Sequence, residues 1–76
     1  MGYKFDSGRF RHDLKYTRLI SRDLSLDDVA LQSGVSKPTI SRAEKGNKIE
    51  ISTFLSLCGW MGVSPCDYIK NEEKTA

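Results

Sequence analysis

The feature that most constrains the fold is the spacing of small and apolar residues around one glycine. In the stretch "SLDDVALQSGVSKPTISRAEKG", residues 25–46, Ala30 lies four residues before Gly34 and Ile40 lies six residues after it. Gly34 can adopt the left-handed backbone conformation that other residues resist. Ala30 allows another backbone to approach closely, and Val35 can fill the core beneath the turn. This spacing therefore predicts two helices that cross steeply around a tight turn.

Signals at helix ends predict an all-α fold of five helices in a single domain. Ser25 can cap a helix whose first turn carries Asp27 and Asp28. No run alternates with period two over the length of a strand, so no sheet is expected. The predicted helices run from about Asp6 to Arg22, from Leu26 to Gly34, from a cap at Ser36 to Lys45, from about Ile51 to Met61, and through a short segment that begins at Ser64 and Pro65. A short arm, 1–6, and a tail, 71–76, flank these helices.

The apolar positions of these helices predict the core. They recur at helical spacing, and a chain of 76 residues fits one domain with one small core. The predicted apolar positions are Phe10, Leu14, Thr17, Leu19 and Ile20 in the first helix, Leu26, Val29, Ala30 and Leu31 in the second, Ile40 and Ala43 in the third, and Phe54, Leu55, Leu57, Cys58 and Met61 in the fourth. The short fifth segment carries Tyr68 and Ile69.

Charge is distributed unevenly along the chain. Residues 1–48 contain ten cationic and six acidic side chains, a net charge of +4. Residues 49–76 contain two cationic and four acidic side chains, a net charge of −2. The hydrophobic fraction of 38% and the charged fraction of 29% are typical of a soluble globular protein. No apolar run approaches the roughly 20 residues of a membrane helix, and no leader segment is recognised. The positive charge of residues 1–48 favours a polyanion as partner.

The sequence offers little that an enzyme or a metal site would need. Its only histidine is His12, and the spacing of Cys58 and Cys66 matches neither a redox pair nor a metal clamp. No glycine-rich phosphate cradle is present, and a chain this short has little volume for a substrate pocket. We therefore expect a non-enzymatic protein with free thiols, no metal and no cofactor, in a reducing cytoplasmic setting.

The predicted third helix has an unusually polar surface. Only Ile40 and Ala43 are clearly apolar, so Lys37, Arg42 and Lys45 must lie outward or at its edges. A short helix that carries hydroxyls and cations, and that a neighbouring helix holds outward, suits the width of the DNA major groove. The pattern therefore points to double-stranded DNA as the ligand.

The stretch quoted above resembles the helix-turn-helix of the Cro/C1-type (XRE-like) repressor family, and "TFLSLCGWMGVSPCDYI" is similar to the helices that follow it there. The resemblance covers roughly residues 10–69. It implies a compact five-helix, lambda-repressor-like domain from a bacterium or phage that binds operator DNA as a dimer. It implies base contacts from Lys37, Pro38, Thr39, Ser41 and Arg42. It implies contacts with the DNA backbone from Ser25, Ser36, Lys45, Asn47 and Lys48.

The chain departs from the family pattern in three places. Leu26 stands where many relatives carry a polar residue, so a phosphate contact there would have to use backbone amides. Pro38 has no backbone N–H, although its ring offers an apolar face to a thymine methyl. The segment "TRLISRDLS" is about one residue longer than usual. This length leaves open whether Arg18 is the first-helix cation that we expect to pair with Glu44.

Several of these positions also have plainer interpretations. Lys37 and Arg42 can be solvated cations of an exposed helix. Lys45 and Lys48 can be favourable charges at a helix C-terminus, and the hydroxyls of the third helix can bond their own backbone. Trp60 can be an aromatic residue of the core or its rim.

A single module of this size reads only a few base pairs, which is too little for useful selectivity. Two copies related by a twofold axis would place their recognition helices about 34 Å apart on DNA. The predicted dimer interface comprises Trp60, Val63, Cys66, Tyr68 and Ile69.

The sequence thus predicts a sequence-specific transcriptional regulator, a repressor that binds a near-palindromic operator as a homodimer. It would act in the bacterial cytoplasm or in a phage-infected host cell. The alternative is an antitoxin-like or other interaction module whose main ligand is a protein. Such a module would favour exposed apolar residues on the third helix, where this chain carries cations and hydroxyls. No sensor domain is recognised, so no small-molecule effector is expected.

Overall fold

The computed structural model describes residues 3–71, and these form four α-helices and one pair of short strands. The helices are Ser7–Tyr16 (α1), Leu26–Ser33 (α2), Lys37–Glu44 (α3) and Ile51–Met61 (α4), and the strands are Tyr3–Phe5 (β1) and Ile69–Asn71 (β2). A π-helical segment, Thr17–Ser21, continues α1, and a single 3-10 turn, Pro65–Tyr68, precedes β2. Within the described residues, no helix is long and apolar enough to span a membrane.

Side chains cap the starts of α1 and α2, and a glycine ends α2. The Asp6 carboxylate accepts a hydrogen bond from the amide of Arg9 at 3.1 Å, which caps α1. A reciprocal pair caps α2, because the Ser25 hydroxyl accepts from the Asp28 amide and the Asp28 carboxylate accepts from the Ser25 amide, both at 3.1 Å. Gly34 ends α2 with a left-handed φ of 77°. The predicted starts of α1 and α2, and the glycine turn after α2, are therefore confirmed.

The prediction of five helices and no sheet is wrong. The region expected to form the fifth helix makes only one four-residue 3-10 turn before the chain becomes extended. Residues 69–71 then pair antiparallel with residues 3–5, with Lys70 opposite Lys4 and Ile69 opposite Phe5. Strands of three residues are too short for alternation of polar and apolar residues to reveal them.

The end of the first helix differs from the expected regular helix. The amide of Arg22 donates to the carbonyl of Thr17 at 3.0 Å, a bond that spans five residues instead of four. A π-helical turn of this kind absorbs one extra residue without breaking the helix. Leu19 and Ile20, which were predicted to extend the apolar face, are exposed. Leu19 lies about two and a half helical turns after Phe10, which places it on the side of the helix opposite to the buried stripe.

One cluster of buried side chains forms the core: Phe10, Leu14, Val29, Val35, Ile40, Ala43, Phe54, Leu57, Cys58, Met61 and Tyr68. The rings of Phe10 and Phe54 pack edge to face with centroids 5.1 Å apart. Besides Leu19 and Ile20, two more predicted core positions are wrong, since Leu31 is 86% exposed and Leu55 also faces outward. Leu31 lies two residues after the buried Val29, and Leu55 directly follows the buried Phe54. The helical turn therefore rotates both side chains off the buried stripe.

Tyr68 anchors the C-terminal part of the fold to α1. Its side chain is 1% exposed, and its hydroxyl donates to the Asp13 carboxylate at 2.8 Å. Burial, and then the bond to Asp13, raise the pKa of Tyr68 well above its usual value. Tyr68 therefore belongs to the core, whereas the sequence suggested that it lies in a dimer interface.

Candidate nucleic-acid interface

The helices α2 and α3 pack against each other on either side of Gly34. Val35, directly after this glycine, is buried and closes the turn onto the core. Only Ile40 and Ala43 of α3 are fully buried, so one side of this helix is free. Of the residues predicted to read bases, Lys37, Pro38 and Arg42 are exposed, whereas Thr39 and Ser41 are half-buried. The structure thus brings these five side chains together on one short helix.

A nearly buried ion pair holds α3 from behind. The Arg18 guanidinium donates from Nε to Glu44 Oε2 at 2.6 Å and from Nη2 to Glu44 Oε1 at 2.9 Å. Arg18 Nη1 also donates to the carbonyl of Leu24 at 3.3 Å. The hydrogen bond to Glu44 raises the pKa of Arg18 above its ordinary value. The expected pairing of Glu44 with a cation of the first helix is confirmed, and the longer segment does not prevent it.

Hydroxyl groups at the start of α3 bond one another. Ser36 occupies the cap position, but its side chain makes no capping hydrogen bond. Its Oγ lies 2.7 Å from Thr39 Oγ1, and Arg42 Nη2 donates to the same Thr39 oxygen at 3.3 Å. The alternative interpretation from the sequence was that the Thr39 hydroxyl bonds its own backbone. It instead bonds the side chains of Ser36 and Arg42. These contacts hold the Arg42 guanidinium along the free side of the helix.

Lys37, the first residue of α3, faces an acidic residue of α2. Its Nζ lies 3.4 Å from Asp27 Oδ1, and both side chains are largely exposed. Sequence reasoning treated Asp27 only as a first-turn carboxylate and missed this contact. No local spacing signals it, because the turn at Gly34 brings the two residues together.

The turn after α3 carries the other cations predicted to touch the DNA backbone. Lys45, Asn47 and Lys48 are exposed, and the Asn47 amide donates to the carbonyl of Arg42 at 3.0 Å. Arg11 crosses from α1 and donates from Nη1 to the carbonyl of Lys45 at 3.3 Å. Local sequence patterns do not predict this contact, because 34 residues separate the two partners. The contact ties this basic turn to α1.

The residues predicted for a dimer interface fall in different environments. Cys66 and Ile69 are exposed, whereas Val63 and Trp60 pack partly against the core. The indole N–H of Trp60 donates to Gln32 Oε1 at 2.9 Å, and the Arg22 guanidinium lies 4.6 Å from the ring centroid.

No cluster of three metal-ligating side chains occurs among residues 3–71. Both cysteines are free thiols, with Cys58 buried and Cys66 exposed. Burial raises the pKa of the Cys58 thiol to about 11.

Two helices joined by a glycine turn, the second with one polar, cationic side left free, define a helix-turn-helix protein. The helix-turn-helix family model matches residues 14–68. The chain belongs to this family of Cro/C1-type, XRE-like proteins, and the family supports a DNA-binding regulator. No curated protein and no solved structure matches the chain with significant similarity.

Proposed function

We propose that the protein is a sequence-specific repressor that binds a near-palindromic operator as a homodimer. The observation that carries this proposal is the free side of α3, where Lys37 and Arg42 project beside small hydroxyls. The Arg18–Glu44 pair supports the proposal, because it braces the same helix from the protein side. A braced helix can enter the major groove without losing its position on the domain.

In this proposal, Arg42 and Lys37 read base edges. The exposed Arg42 guanidinium, which bonds a neutral hydroxyl, can instead donate hydrogen bonds to guanine O6 and N7. A good pair of such bonds contributes about 1–3 kcal/mol of discrimination against other bases. Pro38 and Thr39 offer apolar contacts to thymine methyl groups, and Ser41 lies one residue before Arg42 on the same helix.

The proposed contacts with phosphates come from both ends of α3 and from the start of α2. Ser36, Lys45, Asn47 and Lys48 are exposed there. The hydroxyl of Ser25 is occupied in the cap of α2. At the start of α2 we therefore expect the first-turn amides to approach a phosphate in place of that hydroxyl.

In this proposal, a second copy of the chain completes the DNA-binding homodimer. Of the predicted interface residues, Trp60, Val63, Cys66 and Ile69 remain at least partly accessible, and Tyr68 is left out because it is buried. Ile69 also borders an apolar groove of about 460 Å³, which Phe5 and Ile51 line as well. This exposed apolar surface supports self-association, since monomers rarely leave large apolar patches uncovered. Sedimentation that finds a monomer both free and on DNA would contradict the dimer.

Titration of mixed-sequence DNA at rising salt tests DNA binding itself. Each phosphate that the protein neutralises releases counterions, so the logarithm of the binding constant should fall by about 0.9 per phosphate for each tenfold rise in salt. A binding constant that does not change with salt, or no binding at all, would contradict the proposal. Either result would favour the alternative of a module whose ligand is a protein.

A further inference from the structure

The pair of Asp27 and Lys37 sits between the two helices of the helix-turn-helix. Asp27 is the second residue of α2 and Lys37 is the first residue of α3. Lys37 Nζ lies 3.4 Å from Asp27 Oδ1, and the side chains are 53% and 76% exposed, respectively. The carboxylate therefore lies at the proposed DNA-reading end of α3, beside a cation proposed to read bases.

Asp27 is not needed for the cap of α2. The neighbouring Asp28 fills that role, because it accepts from the Ser25 amide while its own amide donates to Ser25 Oγ. An exposed ion pair of this kind adds little to stability. In the first turn of α2 the Asp27 charge contributes only modestly to stability through the helix dipole, whereas it works against the approach of a polyanion.

The two proposed base-reading cations also differ in how they are held. Arg42 bonds a neutral hydroxyl, that of Thr39, whereas Lys37 faces a full negative charge. An ammonium group has three donors on a flexible four-carbon stem. The ion pair with Asp27 leaves donors free for a base. It also reduces the side-chain freedom of Lys37 that binding would otherwise remove.

We propose that Asp27 is a positioning residue for Lys37 and a determinant of DNA selectivity. It orients the ammonium toward a base edge, which strengthens binding to the operator only. Its carboxylate repels phosphates on every sequence, which weakens binding to all DNA alike. Because the repulsion acts equally on all sequences, it cancels in the ratio of specific to non-specific affinity. The orienting effect on Lys37 is therefore what raises this ratio. This inference rests on the proposed function.

The variant Asp27→Asn removes the charge and keeps the shape of the side chain. Its affinity should be measured for a random duplex and for the sequence that the wild-type protein selects. We expect random DNA to bind about threefold tighter, with no such gain on the selected site, so the selectivity ratio falls by at least that factor. The base preference at the half-site position read by Lys37 should relax. Asp27→Glu should keep most of the ratio.

Asp67→Asn is the matched control, because it changes the net charge equally at the 3-10 turn. It should leave the ratio unchanged. The effect of Asp27→Asn on the ratio should also vanish in a Lys37→Met background, since a positioning residue acts through its partner. An unchanged ratio in Asp27→Asn, or an equal loss of ratio in the Lys37→Met background, would overturn the inference. Failure of the proposed function is distinct, because the wild-type protein itself would then show no salt-dependent DNA binding.

Discussion

Arg18 and Glu44 form a two-pronged ion pair that joins the π-helical end of α1 to the last residue of α3. The donor–acceptor distances are 2.6 and 2.9 Å, and the side chains are only 12% and 8% exposed. A third hydrogen bond, from Arg18 to the carbonyl of Leu24, connects the same side chain to the segment that leads into α2. One arginine thus joins the end of α1, the segment before α2 and the end of α3, the helix proposed to enter DNA.

Breaking this pair should destabilise the protein strongly. Arg18→Met leaves the Glu44 carboxylate nearly buried without its partner, and such losses cost about 3–5 kcal/mol. Urea unfolding followed by circular dichroism measures the effect. The double variant Arg18→Met, Glu44→Leu should recover much of the loss, because it removes both charges. A double variant less stable than Arg18→Met alone would contradict this explanation.

Two glycines should respond in opposite directions to the same substitution. Gly46 has φ +85°, and an added Cβ would lie 2.8 Å from Arg11 Nη1. Gly46→Ala should therefore cost about 1–2 kcal/mol through the left-handed backbone alone, and it should displace Arg11. Gly59 lies inside α4, and an added Cβ there would meet nothing within 4 Å. Gly59→Ala should stabilise the protein by about 1 kcal/mol. Thermal melting of both variants tests these two expectations, and equal shifts of the melting temperature in Gly46→Ala and Gly59→Ala would contradict them.

Loss of a base-reading residue should differ from loss of a phosphate contact. Arg42→Ala should reduce affinity for the selected operator by about 1–3 kcal/mol and relax the preference at one half-site position. Lys48→Ala should weaken all sequences alike and reduce the salt slope by about 0.9. Binding measured on operator and random duplexes separates the two. Equal losses on both DNAs for both variants would undo the proposed division of roles.

Stability should fall at alkaline pH partly because of Cys58. Burial raises the pKa of this thiol from 9.0 to about 11, so the unfolded chain loses its proton first as the pH rises. The free energy of unfolding should therefore be insensitive to this thiol below pH 9. It should decrease between pH 9 and 11 by about 1–3 kcal/mol, and Tyr68, whose pKa is also raised, adds to the decrease. Cys58→Ala should reduce this pH dependence, whereas Cys66→Ala, at an exposed thiol, should not. Identical pH profiles for both variants would contradict this assignment.

Local signals predicted most of the helices and the surface of α3. The capping pair of Ser25 and Asp28, the turn at Gly34 and the buried pair Ile40 and Ala43 all depend on neighbours within a few residues. Such short-range patterns can be read from one sequence, because capping and helical periodicity act locally. The helix proposed to read DNA was identified for this reason.

Features that depend on distant partners could not be predicted in the same way. The strand pairing of Phe5 with Ile69 joins the two ends of the described chain and shows no alternation over three residues. Arg11 finds the carbonyl of Lys45 only after α1 and α3 have packed. The sequence showed only that the segment "TRLISRDLS" is about one residue longer than usual. It did not show that Thr17–Ser21 would form a π-helical turn.

Selection of bound duplexes from a random DNA pool tests the central claim most directly, namely that the free side of α3 reads sequence. The pool recovered with the wild-type protein should converge on a near-palindrome whose half-sites lie about 34 Å apart, one helical turn. The same selection with Arg42→Ala should lose one conserved position in each half-site. A wild-type pool that stays random, or one that Arg42→Ala leaves unchanged, would contradict the claim.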